Sequence, residues 1–369
     1  MQVWENISSI VNHLGNPLTC YSCPVSPQSV ITMPTIISPH FDNESVRVGV
    51  IGVGSIGQNH ARVLSGKGVL SAVADVDVDR AKSTGDRYSV NSYSDYQEMI
   101  SGNVDAVVIA TPVSTHAAIA RHAIDKGKHV LIEKPMTGNS RILQDLSNLA
   151  EKNAVILAAG LIERHNPIVA YAKGNLEAGE YGELVTASTR RVSSKSTWVH
   201  DIGVIMDLGI HDIDVLRFIV GSSVESVFAL GGGKHVNQED YANILLDFNN
   251  RKTGIVEVNW LTPMKVRRLS LTCSKNYVDI DYMDQSALIC SSSFTDPASQ
   301  NLYDVPLEFY TRKVSLKKDE PLKHELEDFI TASEKGREPL VTGASAVEVL
   351  RIAEAALESL TTCRKVTIE

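Results

Sequence analysis

Between Val46 and Ile162, short apolar runs alternate with segments whose apolar residues recur every three to four positions. The runs "VRVGVIG", "VLSAVAD", "VDAVVIATP", "HVLIEKP" and "AVILAAGLI" have strand length and are apolar on both faces, as expected of strands covered from two sides. Between them, "SIGQNHARVLS", "VDRAKSTGDRY", "SDYQEMIS", Ser114 to Lys126 and Asn139 to Lys152 carry helical spacing. Ser94 and Gln97 are placed as a capping box, and Gly127 as a helix stop. Strand and helix in strict turn predict a doubly wound parallel sheet over residues 46–165.

After Asn166 the pattern changes. A helix ("NPIVAYAKGNLEAGE") leads to the strand "ELVTASTRRVS", and a long helix is expected from about Asp201 to Val220, stopped by Gly221. Six strands of alternating or mixed pattern follow, with "FNNRKTG" as a hairpin connection. Two helices and the strand "KVTIE" close the chain. Residues 166–369 therefore read as a second α/β domain, a large open and mostly antiparallel sheet with helices on one face. Residues 1–45 fit neither pattern: they hold no Lys or Arg and five prolines. A secretory signal or an organellar presequence needs basic residues there, so a poorly ordered leader is expected, with Met33 as an alternative start.

Composition narrows the class. A chain of 369 residues, 43% hydrophobic and 21% charged, suits two globular domains. A net charge of -9 argues against nucleic-acid or anionic-lipid partners, which call for clustered positive charge. No run approaches the roughly 18 apolar residues of a membrane span. Cys20, Cys23, Cys273, Cys290 and Cys363 are few, scattered and odd in number, which disfavours a disulfide framework and favours a reducing, cytoplasmic setting. Cys20 and Cys23 form half a zinc site without a second half.

The glycine turn Gly52-Val53-Gly54-Ser55-Ile56-Gly57 follows a strand and opens a helix. In that context the first glycine makes the turn, the second admits a pyrophosphate and the third lets helix and strand pack, while the free amides at Ser55 and Ile56 meet its charge. Asp75 ends the second strand 18 residues after Gly57, where an acid binds the adenosine ribose. No basic residue immediately follows it, and Asp77 and Asp79 would repel a ribose phosphate, so NAD is expected rather than NADP. Thr111, Pro112, Thr115 and His116 lie at the next strand end, on the sheet edge where ligands sit, and are expected to line the cofactor.

Glu133, Lys134 and Pro135 reach the same edge one crossover later, and an amine there can stabilise or relay the proton of a substrate alcohol. Asp207 and His211, four residues apart, are expected on one helix face, the carboxylate fixing the imidazole as a general base. A metal site from Asp207, His211, Asp214 and His200 is spaced too loosely for a compact set, and no metal is expected. Arg164 and His165, together with Arg190, Arg191 and Lys195, are expected to offer cations for a substrate diphosphate, with Asn166 as a further substrate contact. Strand alternation sends Arg190 and Arg191 to opposite faces.

Together, "GVIGVGSIGQNHA", "ATPVSTHAAIA", "VLIEKP" and "MDLGIHDID" resemble the glucose-fructose oxidoreductase, inositol dehydrogenase and MocA (Gfo/Idh/MocA) family of sugar and cyclitol dehydrogenases. The likeness runs from about Val46 to the C-terminus. It implies that Lys134, Asp207 and His211 form the catalytic group beside the nicotinamide. It also implies an open sheet that packs against another subunit, hence a homodimer or homotetramer. Members often carry a glycine triplet before the catalytic helix, whereas this chain has "WVHDIGVIMDLG". That variant, with "RHNP", "STRRVS" and "VNWLTPMKVRRLSLT", resembles the branch that oxidises UDP-N-acetylglucosamine at its C3 hydroxyl. Inositol or simple sugar dehydrogenation and a non-catalytic NAD sensor are the alternatives. Whether Lys134 or His211 takes the proton stays open.

Overall fold

A computed structural model describes residues 45–194, 202–233, 238–294 and 307–368. The leader, Cys20, Cys23, Lys195 and His200 lie outside the described residues.

Strands β1 (Val48–Ile51), β2 (Leu70–Ala74), β3 (Asn91–Tyr93), β4 (Ala106–Ile109), β5 (His129–Glu133) and β6 (Leu157–Gly160) form one parallel sheet. Its order is β3-β2-β1-β4-β5-β6. Helices α1 (Ser55–Gly66), α2 (Val78–Tyr88), α3 (Tyr96–Ser101), α4 (Val113–Asp125) and α5 (Ser140–Lys152) make the crossovers. Every residue of β1, β4 and β6 is buried, which is why these strands read as continuous apolar runs rather than alternations. The order reverses between β1, with β2 and β3 to one side, and β4, with β5 and β6 to the other, and the crevice at that switch point is where such sheets take ligands. The α3 cap differs from expectation: Asp95, not Ser94, accepts from the Gln97 amide. A carboxylate two residues before that amide satisfies it directly, and the reciprocal box is not needed.

A 3-10 turn at Ile162–His165 leads into α6 (Pro167–Glu177), capped by Asn166, and then β7 (Leu184–Ser194). The expected long helix is two pieces: a π turn at Ile205–Gly209 running into α7 (Ile210–Val220), whose C-cap Gly221 has φ 66°. Strands β8 (Val224–Gly232), β9 (Tyr241–Phe248), β10 (Thr253–Asn259), β11 (Leu261–Cys273), β12 (Tyr277–Asp281), β13 (Ser286–Phe294) and β14 (Leu307–Ser315) follow. Helices α8 (Pro321–Lys335) and α9 (Gly343–Thr362) and the short β15 (Val366–Thr367) complete the chain.

The second sheet has nine strands in the order β14-β13-β12-β11-β7-β10-β9-β8-β15, antiparallel except for the β7–β10 pair. Along β10 the burial alternates, with Gly254, Val256 and Val258 inward and Ile255 outward. Helix α8 does not cover this sheet. Its Leu322, Leu326, Phe329 and Ile330 join Val48, Val50 and Leu131 in the core of the first. Glu354 of α9 accepts from the Ser140 amide of α5 at 2.7 Å, so both C-terminal helices tie back to the first sheet.

Candidate active site

The crevice above β1 and β4 opens into a cavity of about 780 Å³ lined by Gly52, Gly54, Ser55, Asp75, Thr111 and Thr115 among others. Each glycine is needed for a different reason. Gly52 has φ +85°, and a Cβ there would sit 2.7 Å from the Ala110 carbonyl oxygen. A Cβ on Gly57 would fall 1.8 Å from the Gly52 oxygen, a distance no packing adjustment absorbs. At Gly54 the nearest atom is the Arg80 guanidinium at 3.9 Å. A side chain there would meet only the open crevice, as expected of a backbone left bare for a pyrophosphate. The residues present thus fit a dinucleotide.

Asp75 bridges two loops: its carboxylate accepts from the Val53 amide and the Asp77 amide, both at 2.9 Å. This locks the glycine turn to the end of β2 and leaves lone pairs for ribose hydroxyls. Arg80, unremarked in the sequence, lines the same cavity, but Asp77 holds it at 2.8 Å and Asp75 stands 3.7 Å away. Ile56 and Pro112 also line the crevice. His116 does not. Buried at 2% exposure, its Nε2 donates to the Thr111 carbonyl at 2.7 Å and Nδ1 lies 3.1 Å from the Pro135 carbonyl. Burial pushes its pKa down, and the ring is a strut between two sheet-edge loops rather than a ligand contact. Glu133 likewise turns inward, accepting from His60 at 2.7 Å and from the Lys134 amide at 3.0 Å.

The Lys134–Pro135 peptide is cis. Lys134 Nζ donates to the Asp207 carboxylate at 2.7 Å and to the Asp207 carbonyl at 3.0 Å. First sheet and π turn therefore meet at one amine. The expected Asp207–His211 hydrogen bond is absent among the described residues. Asp207 lies in the π turn and His211 in α7, and the carboxylate is taken by the Lys134 amine instead. His211 is 7% exposed, with Nδ1 buried and unpartnered. Its pKa is driven well below the usual 6.5 by burial first, then by Lys134, Arg191 and Arg267. The imidazole is neutral at pH 7 and lies within the field of Lys134. The π turn's first amides are capped from afar. Glu239 Oε1 accepts from the Ile205 amide at 3.1 Å, and a Cβ on Gly203 would collide with that carboxylate at about 2.0 Å.

The arginines expected to bind a diphosphate are mostly spent inside the protein. Arg164 Nε donates to both Asp214 oxygens at 2.8 Å, with Leu340 and Ser345 taking its remaining donors. Arg191, 2% exposed, donates to Asp212 at 2.6 Å and Glu163 at 2.8 Å. Buried guanidinium is costly unless paired, and with Arg164 7% and Arg191 2% exposed neither is an open anion site, although Arg191 Nη2 is left without a partner. His165 is buried beside Arg164 and pushed down to about 4, chiefly by desolvation, which leaves it uncharged. Asn166 caps α6 and donates to Glu163 and the Tyr282 carbonyl. Arg190 faces out and pairs with Glu257 at 3.0 Å.

A cation the sequence did not single out takes their place. Arg267 of β11 lies opposite Arg191 in the register, and its charge reaches both Asp207 and His211. With Lys265 it lines a second cavity of about 330 Å³. Both lie in the segment "VNWLTPMKVRRLSLT", and the alternation of "KVRR" marks Lys265 and Arg267 as one face of β11.

Residues 46–161 match the oxidoreductase family model with an NAD-binding Rossmann fold, and residues 169–279 match the Gfo/Idh/MocA C-terminal domain. UDP-N-acetylglucosamine 3-dehydrogenase of Acidithiobacillus ferrooxidans is 29% identical over 309 residues, 84% of this chain and 95% of the relative. Myo-inositol 2-dehydrogenase of Thermotoga maritima is 29% identical over 343 residues, 88% of this chain and 99% of the relative. The solved structure of the Acidithiobacillus enzyme superimposes with a TM-score of 0.76 at 27% identity, covering 86% of this chain and 99% of that one. With the glycine crevice, the lysine at the end of β5 and the second sheet all in place, the chain belongs to the Gfo/Idh/MocA family of NAD-binding oxidoreductases.

Proposed function

We propose that this oxidoreductase dehydrogenates a ring hydroxyl of a sugar nucleotide, with the C3 hydroxyl of UDP-N-acetylglucosamine as its substrate group. The observation that carries the chemistry is the Lys134–Asp207 pair with a buried His211 in the field of the same amine. Gly52, Gly54 and Ser55 of the crevice would hold NAD, which when bound would supply the acceptor for the hydride of the ring carbon. His211, kept in its basic form by burial and by neighbouring cations, accepts the hydroxyl proton. Lys134 has three donors and uses two on Asp207, so the third is available to the same substrate oxygen as charge develops on it. Asp207 positions the amine. The hydroxyl becomes a ketone, giving a 3-keto sugar nucleotide suited to a following transamination.

The sugar-nucleotide assignment is supported by the Acidithiobacillus relative and by cations facing a second cavity near His211. The equal identity to a myo-inositol dehydrogenase favours a second reading, oxidation of a cyclitol. Purified protein with NAD is expected to reduce the cofactor with UDP-N-acetylglucosamine and far more slowly with myo-inositol or free N-acetylglucosamine. The reverse ranking would establish the cyclitol instead. Tight NAD binding without turnover on any sugar would mark a sensor. The outward face of the second sheet, where Leu245 and Ile255 are 44% and 45% exposed and paired across β9 and β10, is the surface on which a second copy would pack.

A further inference from the structure

The 330 Å³ cavity is lined by two carboxylates, Glu163 and Asp319, and three cations, Lys265, Arg267 and Lys318. Most of that charge is already committed. Glu163 accepts from Arg191 at 2.8 Å, Asp319 stands 2.9 Å from His324 and 3.7 Å from Lys323, and Lys318 lies 3.0 Å from Asp284. Lys265 and Arg267 make no ion pair among the described residues. Asp212 and Glu163 balance Arg191 and Arg267 in number, yet each gives one oxygen to Arg191 and neither forms an ion pair with Arg267 among the described residues, which leaves Lys265 as surplus charge. Arg267 Nη1 and Arg191 Nη2 are both buried without a partner, but of the two only Arg267 lines the cavity and lacks any ion pair among the described residues. Burial and Arg191 push Arg267 down to about 10, and Lys265 is lowered chiefly by Arg267. Two cations held together against their mutual repulsion, one with a dry donor, are a site whose anion is supplied by a ligand. Asn166 adds a polar wall.

From this arrangement we infer that Lys265 and Arg267 form the anion subsite of the substrate pocket and receive the diphosphate of a sugar nucleotide while its ring reaches His211 and Lys134. The inference rests on the sugar-nucleotide reading for the identity of the ligand, and on the cavity for its place. Arginine offers forked donors to phosphate, and a lysine beside it adds a mobile point charge. A neutral cyclitol would leave both cations unmatched.

The test uses the full chain loaded with NAD and two probes, UDP and inorganic pyrophosphate, measured by calorimetry against wild type, Lys265→Gln, Arg267→Gln, the double variant and Arg267→Lys. Wild type is expected to bind both probes. Each glutamine variant should weaken them at least tenfold and the double variant more, with Arg267→Lys intermediate and NAD affinity and melting temperature unchanged. The same variants should raise KM for UDP-N-acetylglucosamine with kcat nearly constant, because the lost contact is made equally before and during the chemical step. No binding to wild type, or equal binding by wild type and the double variant, overturns the subsite. Should myo-inositol prove the better substrate while pyrophosphate still binds through Arg267, the subsite stands and the sugar-nucleotide reading falls. Should UDP-N-acetylglucosamine turn over with an unaltered KM in the double variant, the reverse holds.

Discussion

On the proposed reading His211 is the general base, because burial and three nearby cations hold its pKa well below that of free histidine. His211→Ala is expected to lower kcat about 10²–10⁴-fold, the usual contribution of a general base, and to leave NAD affinity intact, as measured by single-turnover absorbance and fluorescence titration. The pH profile of kcat/KM should retain its plateau below pH 6.5, since the group that must be unprotonated has a lowered pKa; an acid limb centred at or above 6.5 would assign the base elsewhere. Lys134, Asp207 and His211 could be picked out in the sequence by type and spacing. Their pairing could not: the expected Asp207–His211 bond gives way to Lys134–Asp207 because the two partners are 73 residues apart in sequence and 2.7 Å apart in space.

At the scale of elements, the strand–turn–helix that opens the first sheet depends on three glycines with separate duties. Gly54→Ala should fold normally and weaken NAD binding about tenfold, since its Cβ meets nothing but the crevice. Gly57→Ala should instead lower the melting temperature, because its Cβ overlaps the Gly52 carbonyl and overpacking costs about 1–3 kcal/mol or more. Equal losses of stability in the two variants would contradict this division. Periodicity located most elements of both sheets, but it passed over β3, a three-residue strand with no buried residue, and β14. It also missed the π turn, since a single inserted residue leaves the apolar spacing nearly unchanged while rotating every side chain beyond it.

For the molecule as a whole, α8 carries Glu325 into the first lobe, 2% exposed, with neither carboxylate oxygen hydrogen-bonded among the described residues. Burial first, and then Glu133 and Asp328, push its pKa well above the usual 4.5. A raised folded-state pKa gives stability that is full below the unfolded value and declines as pH rises through the folded one. Glu325→Gln, which cannot ionise, should therefore match wild type near pH 4.5 and exceed it in alkaline buffer, the gap in melting temperature widening with pH; a constant gap would place the ionised form in the native protein. For the exposed sheet face, Leu245→Asp with Ile255→Asp is expected to reduce the mass by light scattering to that of a monomer while the NAD site still binds. Wild type that is already monomeric would remove the proposed contact.

The sequence by itself determined the two sheets, the glycine turn and the order in which Lys134, Asp207 and His211 appear, because each is written locally, in periodicity or in a short motif whose geometry follows from neighbouring residues. Tertiary structure alone decided which arginine would be spent and which left for a ligand. Arg164 and Arg191 look as suited to phosphate as Arg267 does, but Asp214, Glu163 and Asp212 arrive from other elements to neutralise the first two. A buried charge is defined by what surrounds it in three dimensions, and no spacing along the chain encodes that neighbourhood.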